Sequence, residues 1–207
     1  MTESESVKIG GIVLAAGGSS RLGKPKQLLQ LEGKTLLRRA AEAMSASMCD
    51  PAVVVLGAKS GGLADEIEGL RVIHCLNQDW RSGMGSSIRI GLAKLTEIEP
   101  GLDAVLISLC DQPFVTTEML NRCGEKFAET KLPIVAAAYK GVTGVPALFS
   151  RELFGALSQL EGDKGARDLI RSRPDIATID LPEAAFDIDT PEDAANLQPN
   201  SIPAAKP

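Results

Sequence analysis

The 207-residue sequence has little of several residue types that would each support a particular chemistry. His74 is the single histidine, so no Ser-His-Asp triad can be built away from it, and hydrolase chemistry of that type is disfavoured. We expect His74 to be a structural residue inside an apolar strand. The four cysteines are widely spaced and form no Cys-x-x-Cys motif, which disfavours a disulfide framework or a zinc site. This spacing indicates reduced thiols in a cytosol.

Long apolar runs and an excess of basic charge are also missing. No run of 18 apolar residues occurs, so no membrane span is expected. Residues 1–7 are polar and acidic, without the basic and apolar regions of a signal peptide. The net charge of −5 argues against nucleic acid as the main partner. A hydrophobic fraction of 44% over this length predicts one cytoplasmic globular domain with a substantial core.

What the sequence does contain is an alternation of strand-like apolar runs and helical patterns. The strand-like runs are 12–14, 52–56, 71–76, 104–109, 134–138 and 177–180, and the helical patterns are 35–44, 86–95, 116–127, 151–160 and 165–173. This alternation predicts an α/β fold with a single doubly wound, mostly parallel sheet and helices on both faces. Ligands bind beyond the carboxyl ends of the strands in such sheets.

The loop after the first strand carries the strongest motif. Residues 14–26 read Leu-Ala-Ala-Gly-Gly-Ser-Ser-Arg-Leu-Gly-Lys-Pro-Lys. Small residues let backbone N–H groups approach an anion closely, and Arg21 and two lysines add positive charge, so the loop predicts a triphosphate site. It is not a P-loop, because Pro25 stands where a Ser or Thr is required. No Gly-x-Gly-x-x-Gly follows the first strand, so the dinucleotide fingerprint is absent too.

Two acidic corners indicate where a cation could bind. Asp111 follows the apolar run 104–109, and Mg²⁺ prefers one or two carboxylates together with phosphate oxygens and waters. The alternative for Asp111 is a turn-initiating role. Asp187 and Asp189 are two positions apart, so they face the same side of an extended segment.

A glycine-rich segment after the third strand-like run could hold a base. Gly83 and Gly85 free the backbone to approach a flat ring. Ser86 or Ser87 can cap the following helix and also present donors and acceptors to the base edge. Trp80 either stacks on a ring or contributes to packing.

As a set, these motifs resemble those of the molybdenum cofactor cytidylyltransferase family and its MobA-like relatives, from residue 9 to about residue 197. The matching motifs are the loop 14–26, Asp-Gln-Pro at 111–113, Ser-Ile-x-x-Gly-Leu at 87–92, Gly-x-Pro at 144–146, Gly-Asp-Lys-Gly-Ala-Arg at 162–167 and Asp-x-Asp-Thr-Pro-Glu-Asp at 187–193. The resemblance implies a Rossmann-like, Mg²⁺-dependent nucleotidyltransferase. It implies transfer of CMP from CTP to molybdenum-bound molybdopterin, release of pyrophosphate, and an apo-molybdoenzyme as a possible partner.

The resemblance also implies roles for individual residues. Catalysis would rest on Arg21, Lys26 and Asp111, and the metal would be held by Asp111 and Asp189, with Asp187 the weaker candidate. The nucleotide would be bound by Leu14, Ala15, Ala16, Gly17, Gly18, Ser19, Ser20, Arg21, Lys26, Gly83, Ser86 and Ser87. The acceptor would be bound by Gly144, Pro146, Asp163, Lys164 and Arg167, although the segment before Gly144 lacks a His that several relatives carry.

Other functions stay open at the level of the sequence. The same fold could use GTP for the same cofactor, or could activate a sugar phosphate. A protein of another class, a non-catalytic carrier or adaptor of the molybdenum cofactor, is disfavoured by the pair Asp111 and Asp189, because a carrier needs no Mg²⁺ site. We expect a nucleotidyltransferase domain over 8–197, with flexible tails at 1–7 and 198–207.

Overall fold

A seven-stranded sheet forms the frame of the protein. The computed structural model describes residues 7–18, 25–57, 61–162, 165–188 and 192–193. The sheet has the order β5-β4-β1-β6-β8-β7-β9, and a two-stranded hairpin of β2 and β3 lies apart from it. The strands are β1 (Ile9–Ala15), β2 (Gln30–Leu31), β3 (Lys34–Thr35), β4 (Ala52–Gly57), β5 (Ile73–Asn77), β6 (Ala104–Leu109), β7 (Ile134–Tyr139), β8 (Val142–Ser150) and β9 (Ile176–Asp180).

All strand pairs of the large sheet are parallel except those that involve β8, which runs antiparallel to β6 and to β7. The predicted single, mostly parallel sheet is therefore confirmed. The domain limits 8–197 stay a prediction, since all but residue 7 of the two expected tails lies outside the described residues.

Five helices cover the two faces of this sheet within the described residues. They are α1 (Leu36–Ser45), α2 (Met84–Ile98), α3 (Thr117–Thr130), α4 (Phe154–Leu157) and α5 (Arg167–Ser172). Successive residues of a strand point to opposite faces. Val13 of β1 accordingly packs in the cluster that contains α1 and α3, and Ile12 packs in the cluster that contains α2, α4 and α5. Both faces of the central strands are thus buried, as the continuous apolar runs predict.

The starts of the helices differ in how they are capped. The Thr35 hydroxyl accepts a hydrogen bond from the Arg38 N–H at 3.1 Å and begins α1, and Thr116 caps α3 in the same way. Helix α2 begins at Met84, after Gly83 with a φ of 104°, which is a conformation that glycine tolerates best. The prediction that Ser86 or Ser87 caps this helix was therefore wrong, because both residues lie inside its first turn.

Strand β8 was not predicted, because Gly144 and Pro146 disfavour a strand interior. The structure accommodates them with an irregularity in the pairing of β7 and β8. Ala136 pairs with Ala147, whereas the next residue, Ala137, pairs with Gly144. The two residues between them, including the proline, are left out of that ladder, as in a β-bulge.

Three other expectations change in the structure. The helical pattern 151–160 is a 3-10 turn at Arg151–Leu153 followed by the single turn of α4, and the pattern 165–173 contracts to α5. His74 lies in strand β5, as expected, but its side chain is exposed, because β5 is an edge strand of the sheet. Among the described residues, no helix combines the length and the apolar character that a bilayer crossing requires.

Candidate active site

A cleft of about 500 Å³ opens where β1 and β6 end. Its wall is formed by Leu14, Ala16, Gly17, Gly18, Lys26, Trp80, Arg81, Gly83, Met84, Ser87, Leu109, Cys110 and Asp111. The structure thus brings together predicted residues from three distant segments: the loop after β1, the start of α2, and the end of β6. The position agrees with the rule that ligands bind beyond the carboxyl ends of parallel strands.

Some predicted residues do not line this cleft or cannot be placed. Ala15 is buried on the opposite face of β1, in the cluster with α1 and α3. Ser86 is buried within the first turn of α2. Ser19, Ser20 and Arg21 lie outside the described residues.

Gln27 holds the start of the loop in place. Its side chain is 3% exposed. The Nε2 amide donates hydrogen bonds to the carbonyl of Ala15 at 2.7 Å and to the carbonyl of Gly17 at 2.8 Å. One side chain therefore fixes the backbone where β1 ends and the loop begins. The residue directly before it, Lys26, is directed into the cleft by the short 3-10 turn Lys26–Leu28.

Lys26 and Asp111 form an ion pair in the cleft. The Lys26 Nζ donates to Asp111 Oδ2, and both side chains are largely buried, with 14% and 13% of their surfaces exposed. The other carboxylate oxygen, Oδ1, is buried and has no hydrogen-bond partner among the described residues. Buried carboxylate oxygens are normally paired. An oxygen without a partner at the end of a central strand therefore fits a cation site.

The acidic segment near the carboxyl end of the chain reaches the same place. The Ile188 N–H donates to the backbone carbonyl of Asp111 at 3.1 Å. Asp189, the predicted second metal ligand, lies outside the described residues, and Asp187 lines a second cavity rather than this cleft. Within the described parts of the chain, no group of three His, Cys, Asp or Glu side chains is arranged to hold a metal.

Trp80 packs closely against the loop. A Cβ atom at Gly18 would lie 2.4 Å from the Trp80 ring, so only glycine permits this contact. The Arg81 guanidinium lies over the same ring, 4.7 Å from its centroid, which is a cation–π distance. The packing interpretation of Trp80 accounts for these contacts, and the ring also forms part of the cleft wall.

A buried amide organises the segment expected to face the base. Asn77 is fully buried at the end of β5. Its Oδ1 accepts from the Asp79 N–H at 2.9 Å, and its Nδ2 donates to the hydroxyls of Ser86 and Ser87 at 2.7 and 3.0 Å. The Ser86 hydroxyl in turn lies 2.8 Å from the Gly83 carbonyl, to which it donates. The two neighbouring serines therefore share a donor, but only Ser87 lines the cleft.

A second cavity, of about 360 Å³, adjoins the cleft. The two share Met84 and Leu109 as a common wall. The predicted acceptor residues Gly144 and Arg167 line the second cavity, whereas Pro146 does not. Asp163 and Lys164 lie outside the described residues.

Tyr139 and Gln112 shape this second cavity. A Cβ atom at Gly144 would lie 2.5 Å from the Tyr139 hydroxyl, so the glycine makes room for the tyrosine. Burial, together with the nearby charge of Asp187, raises the pKa of Tyr139, so its hydroxyl stays protonated. The Gln112 Nε2 donates to the carbonyls of Val145 and Ala184 at 3.1 and 2.8 Å. These bonds tie the turn after β6 to β8 and to the segment before Asp187.

The family model of the MobA-like NTP transferase domain matches residues 11–177, which include most of β1, the loop after it, the whole lining of the cleft and all of the lining of the second cavity except Asp187. The chain belongs to this family. It is therefore an enzyme of the nucleotidyltransferase class.

The chain is also similar to individual proteins over nearly its whole length. The chain is 32% identical over 211 residues to nicotine blue oxidoreductase of Paenarthrobacter nicotinovorans, an alignment that covers 95% of this chain and 100% of that protein. It is 30% identical to the crystal structure of Rv0371c from Mycobacterium tuberculosis, with a TM-score of 0.75 over 92% of this chain and 98% of the other. A structure of Rv0371c in complex with manganese, at 29% identity and a TM-score of 0.72, covers the same shares of the two chains.

Four residues of this MobA-like site were given no role by the sequence analysis: Gln27, Asn77, Gln112 and Tyr139. Gln27 directly follows the motif 14–26, next to Lys26, and Gln112 lies inside the Asp-Gln-Pro motif, next to Asp111. Their proximity to charged residues could have drawn attention to them. Their carbonyl partners, up to 72 residues away along the chain, could not be read from any local pattern.

Proposed function

We propose that the protein transfers CMP from CTP to a phosphorylated acceptor, molybdenum-bound molybdopterin, and releases pyrophosphate. The observation that carries the proposal is the contact between Lys26 and Asp111 in a cleft walled by a small-residue loop. The acceptor phosphate is already an anionic nucleophile, so the reaction needs no general base. In-line positioning and neutralisation of phosphate charge are then sufficient sources of catalysis.

Four cleft residues, together with two residues predicted from the sequence, would have a role in this reaction. The backbone of Gly17 and Gly18 is open to the cleft and can approach the triphosphate closely. Lys26, with Arg21 from the same loop, would stabilise negative charge on the phosphates and on the departing pyrophosphate. Asp111 and Asp189 would hold a divalent cation, which supplies further charge neutralisation when bound. The manganese complex of Rv0371c supports a divalent cation in a relative of this protein.

The acceptor would occupy the second cavity. Arg167 and Arg171 line it and provide positive charge for an anionic group. Because Met84 and Leu109 separate it from the cleft, an acceptor there would lie next to a nucleotide held by the loop. Pro146, Asp163 and Lys164 remain predicted acceptor residues.

The test is pyrophosphate release with each of the four common nucleoside triphosphates, Mg²⁺ and the molybdenum-loaded pterin. We expect the highest kcat/KM with CTP. A higher kcat/KM with GTP would replace the cytidylyl assignment by a guanylyl one. Thermal stabilisation by a nucleotide without any pyrophosphate release would instead favour another acceptor, such as a sugar phosphate, or the carrier function.

The name of the Paenarthrobacter relative supports a second candidate, oxidoreduction. A reduced nicotinamide nucleotide included in the same thermal screen tests it. Stabilisation by that compound, with none by any nucleoside triphosphate, would favour the redox function. The absence of a Gly-x-Gly-x-x-Gly after β1 argues against it.

A further inference from the structure

We propose that Asn77 is a positioning residue that makes the Ser87 hydroxyl a hydrogen-bond donor toward the nucleotide base. The inference rests on the proposed function, because it assumes that the cleft holds a nucleoside triphosphate. It concerns a residue that does not itself line the cleft.

The orientation of the Asn77 amide is fixed by the backbone. A backbone N–H can only donate, so the atom of Asn77 that lies 2.9 Å from the Asp79 nitrogen must be the carbonyl oxygen. The amide nitrogen must then face the two serines. Both of its hydrogens are used there, one on the Ser86 hydroxyl and one on the Ser87 hydroxyl.

The donation from the Asn77 amide determines which further hydrogen bonds each serine hydroxyl can make. A hydroxyl that accepts from Asn77 keeps its own hydrogen for another acceptor. Ser86 gives its hydrogen to the backbone, at the carbonyl of Gly83 or of Asp79. The Ser87 oxygen has Asn77 as its only hydrogen-bond partner among the described residues. Its hydrogen is therefore available to the cleft that Ser87 lines.

The Ser87 hydroxyl is therefore held as a hydrogen-bond donor in a largely buried part of the cleft. Ser87 is 5% exposed, so solvent offers its hydroxyl little competition. A base that presents an acceptor there gains a hydrogen bond, and a base that presents an N–H leaves two donors facing each other. Cytosine carries ring and carbonyl acceptors on the edge that a pyrimidine presents for pairing, whereas uracil carries an N–H between its two carbonyls.

The decisive variant is Asn77→Asp, which keeps the shape but replaces the amide donor by an acceptor. The Asp79 N–H can still be bound, but the Ser87 hydroxyl would turn to donate to the new carboxylate. We expect the Kd for CTP with Mg²⁺, measured by calorimetry, to rise about tenfold, the scale of one hydrogen bond. In a Ser87→Ala background, the same substitution should change the Kd less than about twofold, because the hydroxyl through which it acts is gone.

Two controls separate positioning from general damage to the cleft. Inorganic tripolyphosphate has no base, so its Kd with Mg²⁺ should be the same for the wild type and for Asn77→Asp. Ser82→Ala removes a different hydroxyl bonded to the Asp79 carbonyl, on an exposed residue that does not line the cleft. It should leave the CTP Kd unchanged. In turnover, Asn77→Asp should raise KM with little change in kcat, since uniform binding is lost.

The outcomes are distinct. An equal loss of CTP binding from Asn77→Asp in the wild-type and Ser87→Ala backgrounds, or a parallel loss of tripolyphosphate binding, would make Asn77 a structural residue and overturn the inference alone. If the wild type bound none of the four nucleotides, the proposed function and the inference would both fail. Should Asn77→Asp not fold, Asn77→Ala serves in its place, with a smaller loss that must also vanish in the Ser87→Ala background.

Discussion

Replacing Gln27 by Met should weaken the protein through the loss of two specific hydrogen bonds. Met has a similar volume and is a well-tolerated filler, so packing changes little. The carbonyls of Ala15 and Gly17 lose their donor from Gln27 Nε2. A carbonyl that loses its partner costs about 1–3 kcal/mol. Because Ala15 is 1% exposed, the cost at its carbonyl should lie in the upper part of that range. Gly17 is exposed, so water can replace the amide at its carbonyl and the cost there is small.

Gln27 Oε1 is itself buried without a hydrogen-bond partner among the described residues, so Met also removes an unsatisfied oxygen and offsets part of this loss. The expected net loss is therefore about 2 kcal/mol in the free energy of unfolding, or about 4–8 °C in Tm for a chain of this size. Urea denaturation with an unchanged m-value would measure it. The matched control is Gln159→Met, an exposed glutamine whose change should cost less than about 0.5 kcal/mol. A loss below about 1 kcal/mol for Gln27→Met would refute the view that this amide holds the loop.

Asp111→Ala should abolish pyrophosphate release while leaving the circular dichroism spectrum intact, and near-normal turnover at saturating Mg²⁺ would contradict its place in the metal site. Lys26→Ala should lower kcat/KM by about 10²-fold or more, the scale of losing one preorganised charge-stabilising group; an unchanged kcat/KM would show that the loop does not bind the triphosphate. Burial raises the pKa of the Cys110 and Cys123 thiols to about 12. The unfolded chain therefore loses these protons first. The contribution of these thiols to the free energy of unfolding should be constant below about pH 8 and fall above about pH 9, by about 1.4 kcal/mol per pH unit for each thiol. Urea midpoints across this range measure the fall, which should be shallower in Cys123→Ala; an unchanged slope would exclude that thiol as a cause.

The sheet and the longer helices were predictable because their signals are local. The apolar runs of β1, β4 and β6 are continuous, since both faces of these strands are buried. Helices α1 and α3 begin next to threonines whose capping role is a property of the residue type.

Strand β8 could not be predicted in this way. Its glycine and proline are normally signals against a strand, and they are tolerated here only because β7 pairs with it irregularly. That pairing is a tertiary fact, which no pattern within 142–150 contains. The exposure of His74 is likewise a tertiary property. Strand β5 stands at one end of the strand order, and this order cannot be read from the sequence of β5.

The candidate site likewise contains some residues that could be predicted from the sequence and others that could not. Lys26 and Asp111 stand in recognisable motifs, and the structure brings their side chains together. Asn77 and Gln112 act through amide bonds whose value depends on burial and on the positions of their partners. The roles of these two amides can therefore be recognised only from the folded structure.

The two cavities share only part of their lining, and this bears on how substitutions could alter the substrate preference of the enzyme. Asn77 makes its side-chain bonds within 77–87, on the side of β5 and α2, whereas Gln112 and Tyr139 serve the side of β7 and β8. Residues that share no partner usually contribute additively. Under the proposed function, preference for a base and preference for an acceptor should therefore respond to separate substitutions. Met84 and Leu109 are the exceptions, because a change in either reshapes both cavities at once.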